Sequence, residues 1–379
     1  MIKILIGGDI CPTKNNQHLF REEKVKEIFN DLLEDFHNSN LVIANLETPI
    51  IERETPINKT GKVFGTSPET ISTLKKAGIN YLNLANNHIY DHGEEGLKTT
   101  FKYLKLNDVE FSGAGFNLEE ASNVYIKKIN NITIAIFSYA EHEFSIATEK
   151  NGGANPLDLI DFIRKIQKIK NTVDFIILLY HGGKEYYPYP YPNQKKLFEF
   201  FIDMGVNVVI CQHTHVCGAI QSYNDGIIFY GQGNFVFDPI PLKNKELYQG
   251  FLIELNVFDK KKFEYKLIPF FHRTMLDIEL NGIEKMKNEL LDEWNKKIEY
   301  YSNNLTNTFI KNEWEKFCSD KKYLYFSLLK GHSRIERKFY SMFLPKKLKY
   351  TKNKQLLVKN IISCETHREI LLTILNSEK

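Results

Sequence analysis

Short apolar runs alternate with amphipathic segments over about the first 275 residues of the chain. The apolar runs are KILIGGD, LVIANLE, INYLNLANN, DFIILLYHGG and NVVICQHTHV. Helical spacing of apolar residues occurs between them, in Pro68–Gly78, Glu94–Leu106, Leu157–Lys170 and Gln194–Gly205. Several runs are apolar almost throughout, which is typical of strands that are covered on both faces. The pattern therefore predicts a layered α/β domain.

Three further segments predict antiparallel hairpins that accompany the α/β units. They are VYIKKI-NN-ITIAIF, GAIQSY-NDG-IIFYG and FLIELNVFDKKKFEYKLIPFF, and the first two have asparagine-containing turns. Beyond about residue 280 glycine nearly vanishes, and Ile283–Tyr301 and Leu356–Leu375 show helical spacing. We therefore expect an α/β domain over residues 1–278 and a helical C-terminal region over residues 279–379.

The predicted C-terminal helices carry many aromatic side chains that need to be buried. These residues are Tyr300, Tyr301, Phe309, Trp314, Phe317, Tyr323, Tyr325 and Phe326. The helices could cover them by packing across a functional site as a partial lid, by forming an oligomer or partner interface, or by packing against the α/β domain.

Composition narrows the class of protein further. The chain has 379 residues, of which 42% are hydrophobic, so it can bury a substantial core. Its formal net charge of +3 gives no indication of a nucleic-acid or membrane partner, and no apolar run approaches the roughly 20 residues of a membrane span. The five scattered cysteines include no CxxC pair, and the N-terminal run is typical of a strand rather than a signal peptide. These features predict a cytoplasmic protein.

Polar residues follow five of the apolar runs in order. They are Asp9, then Asn45 and Glu47, then Asn86, Asn87 and His88, then His181, then His213 and His215. Each alone has an ordinary explanation as a turn former, a helix cap or a hydrogen-bonded core histidine. Ligands of open α/β sheets bind beyond the carboxyl ends of the strands. Five such strand ends together therefore predict one polar crevice.

Around these strand ends the sequence contains a longer ordered set of short motifs. The motifs are Gly8-Asp9, Asn45-Leu46-Glu47, Asn86-Asn87-His88 with Asp91 and Gly93, His181-Gly182-Gly183, His213-Thr214-His215, and Gly233-Asn234-Phe235-Val236-Phe237-Asp238. This set resembles the CapA family of capsule and poly-γ-glutamate biosynthesis proteins, within the calcineurin-like metallophosphoesterase superfamily. The resemblance covers about residues 1–275 and implies a two-sheet β-sandwich flanked by helices, with metals at the strand ends.

The resemblance also implies roles for individual residues. Asp9 and His215 would bind a first metal, Glu47 would bridge, and Asn87, His181 and His213 would bind a second metal. His88 would be the general acid or a phosphate contact, and Asp91 would orient it. Imidazole and oxygen ligands favour one or two Mn, Fe, Zn or Ni ions over Ca. Two cations that share a carboxylate can activate water and clamp phosphoryl oxygens.

Two departures from the superfamily pattern bear on catalysis. Cys11 stands where superfamily enzymes have the histidine of Asp-x-His, and it could be a substitute ligand or a small buried thiol. Glu47 stands where phosphatases usually have aspartate. The sequence thus allows a metal-dependent hydrolase of a phosphoester or related anionic small molecule or polymer in capsule or surface-polymer metabolism. The alternatives are a non-catalytic component of a synthesis complex that binds metal or an anionic polymer, and a scaffold for a functional tail.

Several residues are candidates for contact with a substrate. Alternating Tyr and Pro in Gly182–Pro192 predict a loop at the mouth of the site, because proline cannot continue a helix or a central strand. This loop would be either a substrate wall that includes Glu185 and Tyr186 or a rigid connector to the next helix. Asn45 is a further candidate. Arg53, Lys59 and Lys62 would meet an anionic substrate or remain solvated.

Overall fold

The computed structural model describes residues 1–237, 245–259, 262–276, 281–329 and 352–376. Asp238 of the last motif lies outside these residues, as do the side chains of Tyr323 and Phe326.

The strands are β1 (Ile2–Cys11), β2 (Leu41–Leu46), β3 (Tyr81–Asn83), β4 (Glu110–Ser112), β5 (Ala114–Gly115), β6 (Tyr125–Ile129), β7 (Ile132–Ala140), β8 (Gly153–Ala154), β9 (Phe175–His181), β10 (Val208–Gln212), β11 (Ile220–Tyr223), β12 (Gly226–Phe229), β13 (Asn234–Phe237), β14 (Gln249–Val257), β15 (Phe263–His272) and β16 (Ile283–Lys285). The α-helices span Gln17–Arg21, Val25–Phe29, Leu33–His37, Glu69–Ala77, Gly93–Leu106, Leu118–Ala121, Leu159–Ile169, Pro192–Asp203, Asn288–Asn303, Asn307–Leu329, Lys352–Ser363 and Glu365–Asn376.

Two sheets form the centre of the molecule. The first has the strand order β16-β15-β14-β1-β2-β3-β4, and β13 also pairs with β1. The second has the order β11-β12-β10-β9-β7-β6. Strands β1, β2 and β3 run parallel, as do β7, β9 and β10, so their carboxyl ends lie at the same edge of each sheet.

Alternating side chains of the central strands enter different cores. Ile4 and Ile6 of β1 pack between the sheets with Ile177 of β9, whereas Leu5 packs beneath the N-terminal helices. In β9, Leu178 faces the opposite way, toward the helices that cover the second sheet. Because neighbouring side chains of a strand point to opposite faces, a strand between two layers has to be apolar throughout. This explains the uninterrupted apolar runs.

The predicted fold class, an α/β two-sheet sandwich flanked by helices with a helical C-terminal extension, is confirmed. The five apolar runs form strands, the four amphipathic segments form helices, and the three hairpins are present. The helix predicted over Ile283–Tyr301 is wrong at its start. Ile283–Lys285 forms β16, which pairs with β15, and the helix begins at Asn288. The first sheet therefore extends past residue 278, and the division of the chain at that position stays a prediction.

The helices Asn307–Leu329 and Glu365–Asn376 pack over the outer face of the second sheet, whereas the helix Asn288–Asn303 buries Trp294 and Ile298 in the core between the sheets. Trp314 and Ile370 belong to one apolar cluster with Phe198 and Phe201 of the helix Pro192–Asp203. All five cysteines of the chain are buried, and none forms a disulfide. Among the described helices, none combines the length and the apolar character that crossing a bilayer requires.

Candidate metal centre and cleft

The polar residues at the ends of β1, β2, β9 and β10 meet at one point between the sheets. His181 Nε2 lies 3.4 Å from Glu47 Oε1 and 3.1 Å from His213 Nδ1. Asp9 lies 3.8 Å from His181 Nδ1 through Oδ1 and 3.9 Å from His215 Nδ1 through Oδ2. Parallel pairing brings Asp9 and Glu47 to one edge of the first sheet and His181 and His213 to one edge of the second, and the packing of the two sheets brings these edges together. The structure thus brings together the strand ends that the sequence singled out.

The potential ligand atoms form two groups that share Glu47. Glu47, His181 and His213 form one group, and Asp9, Glu47 and His215 form the other, with all atoms of a group within 4.8 Å of one another. Asn87 Oδ1 lies 3.0 Å from His181 Nε2, on the side of the first group. This division matches the two sets of ligands that the resemblance implies.

The environment of Glu47 indicates whether a cation fits between the two groups. Its carboxylate is buried, and within the described residues neither oxygen has a hydrogen-bond partner. A buried carboxylate without a partner is costly, whereas a metal ion between the two groups would satisfy both oxygens. The donor set of imidazole nitrogens, carboxylates and one amide oxygen suits transition-metal dications. The residues present therefore fit a metal centre.

Burial favours the neutral forms of the titratable side chains in this cluster. Desolvation, with the nearby charge of Glu47, raises the pKa of Asp9 to about 6, and desolvation also raises the pKa of Glu47. Desolvation lowers the pKa of His181 to about 4 and lowers the pKa of His213 as well. Because a histidine must be neutral to bind a metal, His181 and His213 are held in the form that ligation needs. For His215 burial alone would lower the pKa, but the charges of Glu47 and Asp9 raise it.

The turn after β10 orients His213 and His215 through an unusual backbone conformation. His213 has φ 88° and His215 has φ 58°, in the left-handed region that residues other than glycine seldom adopt. The amide of His213 donates to Asp9 Oδ2 at 3.0 Å, and His215 Nδ1 lies 2.9 Å from Asn234 Oδ1. Such backbone conformations typically persist at functional sites, where surrounding contacts compensate for the strain.

A second group of contacts holds His88 at the edge of the cluster. His88 Nδ1 lies 2.6 Å from Asp91 Oδ2, and Lys59 Nζ donates to Asp91 Oδ1 at 2.5 Å. The side chain of Lys59 is only 3% exposed, and its ammonium also donates to the carbonyl of Asn87. The backbone amide of Phe64 donates to the other Asp91 oxygen. Lys59 is therefore a buried ion-pair partner of Asp91.

The pKa values of this pair follow from burial and from the pairing. Burial lowers the pKa of His88, and the hydrogen bond to Asp91 opposes that shift without reversing it. For Asp91, burial alone would raise the pKa, but the hydrogen bond with His88 and the charges of His88 and Lys59 lower it. At neutral pH a neutral His88 thus donates through Nδ1 to an ionised Asp91, which leaves Nε2 free.

The structure places Asn45 behind the ligands. Its side chain has no exposed surface, and it donates to Asp9 Oδ1 at 2.7 Å while lying 3.2 Å from His181 Nδ1. Its Oδ1 accepts from Asn83 and Asn86. Both polar atoms of the amide are engaged and Asn45 is not among the residues that line the cleft, so its contact with a substrate stays a prediction. Asn45 orients two of the candidate ligands.

A cleft of about 1610 Å³ opens above the ligand cluster. Its wall includes Glu185 and Tyr186, as the sequence led us to expect, and Glu185 lies within 4.8 Å of ligand atoms of His213 and His215. Cationic side chains contribute to the lining at Lys14, Arg21, Arg53, Lys59, Lys62 and Lys184. The C-terminal helices contribute Leu357, Asn360, Cys364, Thr366 and His367.

The loop Gly182–Pro192 is a connector at one end and a wall of the cleft at the other. Tyr187 and Tyr189 are buried and pack against aromatic residues of the C-terminal helices, among them Trp314 and Phe309. Pro192 begins the next helix, so this end of the loop is a connector. Only its beginning, residues 183–186 with Glu185 and Tyr186, lines the cleft.

Sequence reasoning missed Glu143, which lies 4.0 Å from His213 Nε2 through Oε1 and accepts from Asn87 Nδ2 at 3.4 Å. It follows β7 closely, much as Glu47 follows β2, so the same strand-end signal could have identified it. Cys11 is buried and belongs to none of the ligand groups found in the described residues.

Comparisons with known proteins add a family and several relatives. The family model described as "Bacterial capsule synthesis protein PGA_cap" matches residues 3–239. The chain is 31% identical over 240 residues to the capsule biosynthesis protein CapA of Bacillus anthracis, covering 61% of this chain and 58% of that protein. It is 30% identical over 235 residues to the PGA biosynthesis protein CapA of Bacillus subtilis (strain 168), covering 61% of this chain and 62% of that protein. The alignments thus span about three fifths of these relatives.

Among solved structures, the chain is similar to a 5'-nucleotidase precursor from Thermus thermophilus, with a TM-score of 0.41 and 9% identity over 71% of this chain and 54% of that one. A hypothetical protein from the same organism has a TM-score of 0.44 at 13% identity, over 71% of this chain and 99% of that one.

Proposed function

The chain belongs to the bacterial capsule synthesis protein PGA_cap family, and from that premise we propose that it is a metal-dependent hydrolase of a phosphoester or related anionic substrate in capsule or surface-polymer metabolism. The observation that carries the proposal is the pair of ligand groups that share Glu47, whose two buried oxygens have no partner in the described residues. A single carboxylate between two sets of imidazole and oxygen ligands is the arrangement that a two-metal centre requires.

The proposed ligands divide between two ions. Asp9 and His215 would hold one, Asn87, His181 and His213 would hold the other, and Glu47 would contact both. Mn, Fe or Zn fits this donor set. When bound, such ions lower the pKa of a water molecule and neutralise charge on phosphoryl oxygens.

The protein's own groups supply the remaining chemistry. Asp91 fixes the His88 ring so that Nε2 is available at the edge of the cleft. An anionic phosphoryl group beside that ring would raise the pKa of His88, because an adjacent negative charge favours the imidazolium. His88 can then give a proton to the leaving oxygen. The cations along the wall, such as Lys14, Lys62 and Lys184, favour an anionic substrate.

Metal analysis combined with an activity screen tests the proposal. Purified protein loaded with Mn²⁺ should contain bound metal and should hydrolyse p-nitrophenyl phosphate, bis-p-nitrophenyl phosphate or pyrophosphate. A His213→Ala, His215→Ala double variant should lose the metal and the activity together. Equal metal content in the two proteins would count decisively against the proposed centre.

A second candidate is a non-catalytic member of a capsule or poly-γ-glutamate synthesis complex that binds metal or an anionic polymer. Cys11 favours it, because the thiol lies in none of the ligand groups of the described residues and thus replaces a superfamily histidine without joining the centre. A relative from Mycobacterium tuberculosis bears the name of a probable polyglutamine synthesis accessory protein. Metal binding without turnover of any phosphoester, phosphodiester or pyrophosphate would favour this candidate.

A further inference from the structure

The segment that follows β7 lies between the proposed metal centre and the C-terminal helices. It comprises residues 141–145: the side chains of Glu141 and His142 contact the C-terminal helices, whereas those of Glu143 and Ser145 contact Asn87. The helix Glu365–Asn376 lies outside the part of the chain that the family model matches. Contacts through this segment would therefore connect a region outside the family match with the ligands inside it.

On the side of the helices, Glu141 and His142 are held at the start of the helix Glu365–Asn376. Glu141 is buried and accepts from Thr366 Oγ1 at 2.6 Å and from Cys364 Sγ at 3.2 Å. The carboxylate of Glu365 accepts from the backbone amide of His142 at 2.9 Å and lies 2.6 Å from its Nδ1. Backbone and side chains of the segment are thus both anchored to the helix.

On the side of the metal centre, the same segment holds Asn87 at two points. Ser145 Oγ donates to the backbone carbonyl of Asn87 at 2.7 Å. Glu143 Oε2 accepts from Asn87 Nδ2 at 3.4 Å, and Asn87 Oδ1 then lies 3.0 Å from His181 Nε2. Burial raises the pKa of Glu143 to about 7. In its ionised form Glu143 cannot donate to an amide oxygen, so that form favours the orientation that turns the amide oxygen of Asn87 toward His181.

From these contacts we propose that Glu143 is a positioning residue that presents the Asn87 oxygen to a metal ion, and that the C-terminal helices fix Glu143 in this place. The inference rests on the proposed function, since it needs Asn87 to be a ligand. Groups that orient a metal ligand usually change metal affinity about 10–100-fold when they are removed. The C-terminal helices are accordingly a constituent of the centre, in addition to being a wall of the cleft.

Calorimetric titration of the full-length, metal-free protein with Mn²⁺ tests the inference without any assay of turnover. Glu143→Ala should weaken binding at one site about 10–100-fold, whereas Glu143→Gln, which can still accept from Asn87, should lose less. Glu365→Ala should weaken the same site, because it frees His142. Glu369→Ala is the matched control, since this glutamate lies on the same helix and, within the described residues, its carboxylate hydrogen-bonds only to Asn193.

A double-mutant cycle then tests whether Glu143 changes Mn²⁺ affinity through Asn87. In an Asn87→Ala background, Glu143→Ala should cause no further loss of affinity, because the group that it positions is gone. Additive losses would overturn the proposed role, and so would a Glu143→Ala protein that binds Mn²⁺ like the unaltered protein. Equal affinities of the Glu365→Ala and Glu369→Ala proteins would overturn the part assigned to the helices. An unaltered protein that binds no Mn²⁺ would instead overturn the metal centre itself.

Discussion

Glu47 Oε1 lies 3.4 Å from His181 Nε2, yet within the described residues neither oxygen of Glu47 is hydrogen-bonded. The imidazole nitrogen is itself close to the Asn87 oxygen and to His213 Nδ1. Four groups that ordinarily accept or share protons are therefore packed together with few donors between them. A bound cation would turn this unfavourable arrangement into a favourable one.

Glu47→Ala should therefore remove the stabilisation that metal provides without destabilising the metal-free protein, because it deletes a buried carboxylate that has no hydrogen-bond partner among the described residues. A ligand at about 100 times its dissociation constant stabilises a protein by about 2.7 kcal/mol. Thermal unfolding in chelator and in excess Mn²⁺ measures this gain. The control is Glu254→Ala, which removes a buried carboxylate that is paired with Lys3 and should lower stability equally in both conditions. An undiminished gain from Mn²⁺ in the Glu47→Ala protein would contradict the prediction.

His88→Ala should keep its metal and lose turnover. His88 contacts Asp91 and lines the cleft but belongs to none of the ligand groups in the described residues. A positioned acid or base usually contributes about 10²–10⁴ in rate. Metal content and kcat, measured on the same preparation, test whether the metal is retained and whether turnover is lost. Turnover that survives in both His88→Ala and Glu47→Ala would have to come from a contaminant or from another site.

Asp91→Asn should cost stability as well as activity, because it leaves the buried ammonium of Lys59 without a counter-charge. Removing one partner of a buried ion pair typically costs about 3–5 kcal/mol. Loss of orientation at His88 should lower turnover by about 10–100-fold. Denaturant unfolding of Asp91→Asn and of the double variant Lys59→Met, Asp91→Asn measures the first effect. A double variant no more stable than Asp91→Asn would show that the unpaired charge is not the cause.

Much of this site could be predicted from the sequence, because the order of the strands determines where their ends lie. Asp9, Glu47 and His181 each follow an apolar run; parallel pairing brings such ends to one edge of each sheet, and the packing of the two sheets brings the two edges together. The burial of Lys59 could not be predicted. A lysine in a loop with glycine and threonine is usually solvated, and only the tertiary position of Asp91 explains why this one is not.

The C-terminal region shows where periodicity is uninformative. Ile283 is buried in either a helix or a strand, and a three-residue edge strand leaves no alternation long enough to distinguish the two. The contact of Glu365 with His142 joins residues that are far apart in the sequence, and neither lies in a recognisable motif. Long-range pairs of this kind depend on packing that local patterns do not encode.

The contribution of Glu141 to stability should fall as pH rises from about 4.5 to about 7. Burial, together with the charge of Glu365, raises the pKa of Glu141 from 4.5 to about 7, so the folded protein retains a proton that the unfolded chain releases. The hydrogen bond to Glu365 likewise raises the pKa of His142, so this pair contributes stability below pH 6.5 that is lost as pH rises through the folded value. His181, with a pKa of about 4, acts in the opposite direction between pH 4 and 6.5.

A difference measurement isolates Glu141 from these other groups. The thermal midpoints of the unaltered protein and of Glu141→Gln, recorded in chelator from about pH 5 to about pH 8, share every contribution except that of Glu141. The advantage of the unaltered protein over the variant should shrink as pH rises. An advantage that stays constant over this range would show that Glu141 is already ionised in the folded protein at pH 5.

Trp314→Ala should unfold the C-terminal helices more readily than any change on their exposed face. The indole is 1% exposed, its ring centroid lies 5.7 Å from that of Tyr187, and Nε1 donates to Thr373 Oγ1 at 3.1 Å. Truncating a large buried aromatic side chain usually costs about 3–5 kcal/mol, because a cavity replaces its contacts. Tyr300→Ala is the control, since Tyr300 is 58% exposed and exposed substitutions usually stay within about 0.5 kcal/mol. Urea unfolding followed by far-UV circular dichroism should show an earlier loss of helix only for Trp314→Ala, and equal transitions in the two variants would mean that this contact does not hold the helices in place.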